Sequence, residues 1–146
     1  LASINEHALP EQIILISTTA VYGDCGGDWI TESRPPNPQT DRGRRRLDAE
    51  SLLQHWSLRQ KVPVVILRVG GIYGPQRLPI ERIKKGLPIL NEDESPYTNR
   101  IHQDDLAAIC IAAAEKGKPS EVYNVSDGQP STMSHYFKEI AKDYAS

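Results

Sequence analysis

Residues 12–24 read QIILISTTAVYGD and residues 62–68 read VPVVILR. Each segment contains a short continuous apolar run, which is typical of a strand covered on both faces in a parallel sheet. Residues 41–60, between them, have the periodicity of a helix with one buried face. The residues at the i, i+3, i+4 and i+7 positions of that face are Ala49, Leu52, Leu53 and Trp56. The order strand, helix, strand predicts a βαβ unit with a right-handed crossover.

The alternation continues downstream of this unit. After Gly70-Gly71-Ile72-Tyr73-Gly74-Pro75 a proline-punctuated excursion precedes the next regular elements. These expected elements are a short helix near 80–85, a helix over 103–116, a strand over 121–125 and a last helix capped by Ser131 or Thr132. In the helix over 103–116 the side chains expected to face inward are Leu106, Ala107, Cys110 and Ala114. In the last helix they are Met133, Phe137, Ile140, Ala141 and Tyr144. We therefore expect an α/β fold with a parallel sheet and helices on both faces.

The composition excludes several classes of protein. The chain has 146 residues, 38% of them hydrophobic and 25% charged, which fits one globular domain. A net charge of −2 lacks the positive excess that nucleic-acid binding requires, so no nucleic-acid partner is expected. The apolar runs are far shorter than the roughly 20 residues of a membrane helix, so we expect no membrane span and a cytoplasmic protein. Cys25 and Cys110 have no second thiol nearby, which predicts neither a disulfide nor a metal site.

Six motifs occur in an order and spacing that coincidence does not explain. They are ISTTAVYGD (16–24), TESRPPNP (31–38), LDAE (47–50), VVILRVGGIYGP (64–75), NRIHQDDLA (99–107) and EVYNVSDGQP (121–130). Together they resemble the extended short-chain dehydrogenase/reductase family, the NAD(P)-dependent nucleotide-sugar epimerases and dehydratases. The resemblance implies a Rossmann-like doubly wound sheet that is only partly present. Residues 1–75 would hold its later strands and helix, and residues 76–146 the substrate-side region with a returning strand and helices.

In that family a Ser or Thr at a strand end works with a Tyr-x-x-x-Lys pair on the next helix. The lysine lowers the pKa of the tyrosine, whose phenolate then acts as the base. By resemblance, Thr18 takes the hydroxyl position, whereas Arg42 and Arg46 stand where the catalytic Tyr and Lys belong. Arginine cannot be deprotonated in a protein, so neither can be a general base. The GRRRLDAE segment is similar to that of an atypical branch of the family.

The resemblance also assigns binding roles. It places Ser17, Thr18 and Val69 at the cofactor, and Gly71, Asn99 and His102 at the substrate. Gly71 stands where many relatives carry a substrate-contacting asparagine.

Alternatives stay open at four of these places. Thr18 fits either the catalytic hydroxyl position or a threonine that merely ends its strand. Gly70 and Gly71 fit a close backbone approach, a positive φ or a plain strand-to-loop turn. His102 fits either substrate contact or a structural hydrogen bond beside Asp105. The arginines, with Arg45, could bind a phosphate or carboxylate, or simply be a solvated helix start.

The glycine-rich phosphate-binding turn of the family is not found among the ten glycines. We therefore expect Leu1 to lie in the middle of a fold, with NAD or NADP binding dependent on a half outside this sequence.

The leading hypothesis is an NAD(P)-dependent epimerase/dehydratase-like enzyme acting on a nucleotide sugar or another anion. The alternative is a non-catalytic dinucleotide-binding, regulatory or scaffold protein of the same fold. Related enzymes often dimerise, so the resemblance also implies a homodimer, although the oligomeric state stays open.

Overall fold

The computed structural model describes residues 1–145, so Ser146 of the predicted 76–146 region lies outside the described residues. The strands are β1 (Ile13–Thr18), β2 (Val64–Val69), β3 (Gly71–Tyr73), β4 (Tyr97–Thr98), β5 (Arg100–His102), β6 (Val122–Val125) and β7 (Ser131–Thr132). The α-helices are α1 (Asp41–Gln60), α2 (Ile80–Lys84), α3 (Gln103–Lys116) and α4 (Met133–Ala145). The bounds of α1 and α3 agree with those expected from the sequence.

Strands β1, β2 and β6 form one parallel sheet in the order β1-β2-β6. The register pairs Thr18 with Val69, and Val69 with Val125. The carboxyl ends of the three strands therefore lie side by side at one edge of the sheet. Helix α1 covers one face and helix α3 the other, which confirms the doubly wound α/β arrangement.

Alternate side chains of β2 enter two hydrophobic clusters, one on each face of the sheet. The cluster on the α3 side contains Val65, Leu67, Val69, Ile101, Leu106, Ala113 and Val125. The cluster on the α1 side contains Leu53, Trp56, Val62, Val64 and Ile66. All six residues of β2 are buried, as a continuous apolar run predicts for a central strand.

The expectation that β1 is covered on both faces is wrong for this chain. Ile16 is 45% exposed, and only Ser17 of the strand is buried. Within residues 1–145, β1 has a neighbouring strand on one side only, because it stands at the end of the sheet order. The same apolar pattern therefore yields a buried strand at β2 and a half-exposed one at β1.

Five side chains that their spacing predicts to face inward are exposed. They are Leu52, Ala107, Ala114, Met133 and Tyr144. In α1 the buried face centres on Glu50, Leu53 and Trp56, and Leu52 lies about 100° around the helix from Leu53. In α3 the positions that pack on the sheet beside Leu106 and Cys110 are Ile109 and Ala113. The predicted helical period is confirmed. At these positions the buried face of the helix lies one residue away from the predicted one.

The region after β2 contains two small sheets that the sequence does not predict. β3 pairs with β5 in parallel, and β4 pairs with β7 in antiparallel fashion. Each strand has only two or three residues, too few to show a period of two. The short helix expected near residues 80–85 is present as α2, which contacts α4.

No helix among residues 1–145 is long and apolar enough to cross a membrane.

A buried ion pair joins α1 to the central strand. Glu50 is 1% exposed and Arg68 is 6% exposed, and two hydrogen bonds of 3.1 and 2.8 Å connect Nε and Nη2 of Arg68 to the two carboxylate oxygens of Glu50. Burial by itself lowers the pKa of Arg68, but hydrogen bonds to Glu50 and Tyr22, together with charge interactions with the same two residues, raise that pKa above its ordinary value. Arg68 is therefore charged, and Glu50 is its counterion.

We expect Glu50→Ala to lower the free energy of unfolding by about 3–5 kcal/mol, because it leaves the Arg68 charge buried without its partner. Urea denaturation followed by circular dichroism measures this loss. The control is Arg44→Gln, which breaks the exposed Asp41–Arg44 pair of the same helix and should cost less than about 1 kcal/mol. Equal losses in the two variants would contradict the structural role assigned to the buried pair.

Candidate functional site

The carboxyl ends of β1, β2 and β6 define the candidate site. In open parallel sheets ligands bind in the crevice beyond these ends. Here the register brings Thr18, Val69 and Val125 into one row. Val69 is 3% exposed and belongs to the hydrophobic cluster on the α3 side. The site therefore depends on the residues that follow each strand end.

Thr18 ends β1 and caps the 3₁₀ turn Thr19–Tyr22. Its Oγ1 accepts a hydrogen bond of 3.2 Å from the backbone N–H of Ala20, and the side chain is only partly buried. Among residues 1–145 the Thr18 hydroxyl donates to no acceptor, so its proton is available to a ligand. The neighbouring hydroxyl of Ser17 differs, because it donates to Glu50 Oε1 at 2.6 Å inside the core. Of the two, Thr18 is the hydroxyl that can reach a ligand.

Tyr22 is the tyrosine nearest to Thr18 in the sequence, but it cannot serve as a base. Its ring is 2% exposed, and its hydroxyl accepts from Arg68 Nη1 at 3.1 Å. The same hydroxyl donates to Asn124 Oδ1 at 2.6 Å, which ties the turn after β1 to β6. Tyr22 therefore belongs to the network around Glu50 and Arg68, where its role is structural.

Sequence reasoning missed this network, although one signal of it was present. Arg68 interrupts the otherwise apolar run of β2, and a charge inside a buried strand needs a partner. The partner could not be named from the sequence, because Glu50 lies 18 positions earlier on a helix that also carries Asp48. A long-range pair of this kind requires knowledge of how α1 rotates against the sheet.

The first turns of α1 lie beside the turn after β1. Thr40 caps the helix by accepting from the backbone N–H of Gly43 at 3.0 Å. A Cβ on Gly43 would stand 3.0 Å from the carbonyl oxygen of Ala20, so the two backbones touch there. This contact holds the first turn of α1 against the turn that follows Thr18.

Arg42, Arg45, Arg46 and Ala49 share one face of α1, at i, i+3, i+4 and i+7. They line a shallow depression of about 240 Å³. The three arginines are exposed, and within residues 1–145 none of them has a hydrogen-bond or ion-pair partner. Arg44 points elsewhere and pairs with Asp41 at 2.8 Å. The depression is therefore a positively charged surface open to an anion.

The Gly70-Gly71 segment is a close backbone approach. Neither glycine has a positive φ, which excludes that alternative. Gly71 N–H donates to the carbonyl oxygen of Asn99 at 2.8 Å, and a Cβ on Gly70 would lie 2.5 Å from the same oxygen. The backbone of Asn99 thus connects the end of β2 to the start of β5. Asn99 is one of the residues that the sequence predicts at the substrate.

His102 is the cap of α3. Its Nδ1 accepts a hydrogen bond of 3.1 Å from the backbone N–H of Asp104, and its ring meets the edge of Tyr73 at a centroid distance of 5.3 Å. His102 thus makes a structural hydrogen bond, with Asp104 as its partner, and its contact with a substrate stays a prediction. Its ring is partly exposed, so Nε2 remains free to meet a ligand within the described part of the chain.

The loop between the Thr18 turn and α1 is held at both ends. Asn37 N–H donates to the carbonyl oxygen of Val21 at 3.0 Å. Within the loop, Glu32 Oε1 accepts from the backbone N–H of Asn124 at 2.9 Å, which covers the outer edge of β6. The loop consequently forms one wall beside the strand ends.

A parallel sheet with helices on both faces, crossed by a strand-end cleft, defines the class of Rossmann-type α/β proteins. The family model described as "NAD dependent epimerase/dehydratase family" matches residues 1–126, and this chain belongs to that family. The resemblance stated from the motifs is thereby confirmed.

Individual relatives agree with this assignment. The chain is 28% identical to human (Homo sapiens) dTDP-D-glucose 4,6-dehydratase, over 96% of this chain and 42% of that protein. It is 29% identical to protein YeeZ of Escherichia coli (strain K12), over 93% of this chain and 47% of that protein.

Solved structures share the fold. The Thermus thermophilus UDP-glucose 4-epimerase complex with NAD has a TM-score of 0.77 and 25% identity, and the match covers 92% of this chain and 49% of that one. A functionally unknown conserved protein from Silicibacter pomeroyi DSS has a TM-score of 0.78 and 34% identity, with coverage of 92% and 46%. This chain thus spans less than half the length of these relatives.

We expect Gly70→Ala to destabilise the protein by about 1–3 kcal/mol, because the new methyl group would press on the Asn99 carbonyl oxygen. Gly71→Ala is the adjacent control, since its Cβ would meet the nearest atom only at 3.4 Å. Denaturant midpoints of the two variants give the comparison. Similar midpoints for both would show that the chain relaxes around residue 70 and would refute the close approach.

Proposed function

We propose that this chain forms the nicotinamide side and the substrate side of the cleft in an NAD(P)-dependent epimerase/dehydratase-like protein. The observation that carries the proposal is the row of strand ends with Thr18 at its border. Thr18 presents an uncommitted hydroxyl proton, while α1 begins beside it through the Gly43–Ala20 contact. The expected ligands are those of related solved structures, which are complexes with NAD and with UDP-glucuronic acid.

The residues present suit one part of the cofactor. Thr18 and the Val69 backbone stand at the strand ends, where the nicotinamide half would bind, and Ser17 supports them from the interior through Glu50. When bound, NAD or NADP would accept and return the hydride. The role of Thr18 would be to donate a hydrogen bond to the reacting oxygen of the substrate. Gly71, Asn99 and His102 would form the substrate side, with a nucleotide sugar or another anion as the ligand.

The proton-transfer step distinguishes this protein from the usual family mechanism. Arg42 and Arg46 hold the positions of the catalytic pair, and a guanidinium cannot accept a proton at neutral pH. Tyr22 is buried and doubly hydrogen-bonded, so it offers no substitute. The arginines would act instead as bidentate contacts for a phosphate or carboxylate of the substrate.

A homodimer and a cytoplasmic location complete the proposal, to be checked by light scattering and fractionation.

A non-catalytic dinucleotide-binding or regulatory protein is the second candidate. The specific observation in its favour is that α1 carries no tyrosine, while Tyr22 is committed to the core. The two candidates separate on turnover. Cofactor binding without epimerisation or hydride exchange on a panel of nucleotide sugars would favour the second.

Titration of the intact protein with NADH and NADPH tests the cofactor. We expect saturable binding in at least one titration, followed by quenching of protein fluorescence or by calorimetry. The absence of binding at millimolar concentrations of both would refute both candidates at once.

Thr18→Val should lower kcat/KM by about 100-fold, because it removes the hydroxyl that would polarise the reacting oxygen. Thr19→Val, one residue further into the same turn, is the control and should keep most of the activity. Cofactor affinity measured for both variants separates a catalytic loss from a folding defect. Equal activity of the two variants would exclude Thr18 from the reaction.

The double variant Arg42→Tyr/Arg46→Lys restores the family pair on a face of α1 that is exposed and can accept both side chains. We expect turnover to rise above that of the natural protein, because a lysine one turn away would lower the pKa of the new phenol. The control is Arg45→Lys, which changes the same surface without introducing a phenol. A folded, cofactor-binding double variant with no gain would mean that more than these two residues separate this protein from its active relatives.

A further inference from the structure

Arg100 is a buried cation without a carboxylate partner. Its residue is 9% exposed, yet among residues 1–145 no carboxylate lies within ion-pair distance of its guanidinium. Its hydrogen bonds go to two neutral groups, from Nη1 to Thr98 Oγ1 and from Nη2 to Ser131 Oγ. Arginines at this depth are ordinarily paired with an anion. The other buried arginine described above, Arg68, follows that rule.

Within the described part of the chain no carboxylate forms a direct ion pair with Arg100. The guanidinium lies 4.0 Å from the centre of the Tyr136 ring, and burial raises the pKa of Tyr136 despite the nearby charge, so that phenol stays neutral. Asp127 is the carboxylate that acts on Arg100 by charge at longer range. Its Oδ1 already accepts from the backbone N–H of Gln129 at 2.9 Å. Burial accordingly lowers the pKa of Arg100, with Tyr136, Asp127 and Tyr73 offsetting it only in part.

Several donors remain uncommitted at this place. A guanidinium has five N–H groups, and only two of those on Arg100 have acceptors within residues 1–145. Among these residues no fully buried side-chain nitrogen lacks a partner, so Nε of Arg100 must reach solvent. The Ser131 hydroxyl accepts from Arg100 and donates to no described acceptor. Arg100 and Ser131 therefore present N–H and O–H donors side by side.

The position of Arg100 connects it to the candidate cleft. In the β3–β5 pair Arg100 is opposite Gly71, and a Cβ on Gly71 would stand 3.4 Å from Arg100 Cγ. Residue 71 and the stem of Arg100 are therefore neighbours across the β3–β5 pair. On the other side, the Arg100 carbonyl oxygen accepts from the backbone N–H of Asp127, just after β6. Arg100 consequently lies beyond the same strand ends as Thr18.

We propose that Arg100 and Ser131 form an anion-binding subsite, which receives a phosphate or carboxylate group of the ligand. Its use by a substrate rests on the proposed function, whereas anion binding itself does not. The subsite is separate from the exposed arginines of α1, and the two could hold different groups of one molecule.

Inorganic pyrophosphate is the probe, titrated into the chain without cofactor or sugar and against sodium chloride of matched ionic strength. We expect saturable binding by calorimetry and a raised thermal midpoint. Arg100→Lys keeps the charge but removes the planar fork, and should weaken binding by roughly tenfold or more. Arg82→Lys is the control, since Arg82 also stacks on a ring, that of Phe137 at 5.1 Å, but is exposed.

A second comparison separates the two arginine sites. The triple variant Arg42→Gln/Arg45→Gln/Arg46→Gln removes the anion contacts proposed for α1, and it should keep one saturable pyrophosphate site that Arg100→Lys weakens in the same background. If the triple variant loses binding while Arg100→Lys keeps it, the anion sits on α1 and the proposal is overturned. Failure of the wild-type chain to bind pyrophosphate overturns it as well.

Ser131→Ala covers the case in which Arg100→Lys does not fold. It removes a partly exposed hydroxyl and should weaken pyrophosphate binding several-fold without loss of the fold, whereas unchanged affinity would refute the subsite. The titration contains no nicotinamide, so its failure leaves the cofactor and turnover results standing. Conversely, absence of NADH and NADPH binding would refute the proposed function and leave this subsite intact.

Discussion

The buried pair between Glu50 and Arg68 is the constraint on which the rest of the arrangement depends. Two charges removed from water are stabilised only if their hydrogen bonds are nearly complete, and here they are. Ser17 binds the carboxylate from β1, and Tyr22 binds the guanidinium from the turn that follows. One ion pair thus fixes the rotation of α1 against two strands at once. A slide of the helix by a single residue would leave both charges without partners.

This constraint also organises the strand-end cleft. Because Ser17 is drawn inward, the next side chain, Thr18, is directed to the other face of its strand, in keeping with the alternation of a β-strand. The Tyr22 hydroxyl continues the network to Asn124 on β6. The three strand ends that frame the cleft are therefore tied together by polar groups beneath it, and the ligand-facing groups are free to vary. Arg42, Arg45 and Arg46 on α1 lie outside this buried network.

The sequence predicted the elements with a long period and a buried run, and missed contacts that depend on helix rotation. The bounds of α1 and α3 followed from their caps and their 3.6-residue period, and β2 followed from its apolar run. Leu52 was wrongly predicted to be buried, because the helical period alone does not fix which side of α1 faces the sheet. A step of one residue turns that side by about 100°. The pairing of Glu50 with Arg68 and the unpaired state of Arg100 were out of reach, since each depends on residues that are distant in sequence. At Gly70 the correct alternative, close approach, could be selected only from the position of the Asn99 carbonyl.

The loop that begins after the Thr18 turn has its two ends clasped by the bond between Asn37 and Val21. Closing a loop whose ends are already fixed makes its length nearly irrelevant to stability, because each doubling costs only about 0.6 kcal/mol of chain entropy. Residues 24–36 can therefore change in length at little cost in chain entropy, as long as an acceptor such as Glu32 still meets the backbone N–H of Asn124. The fold in this way separates the sheet and its ionic network from a loop that can change. Ligand preference can therefore change in the loop without a new core.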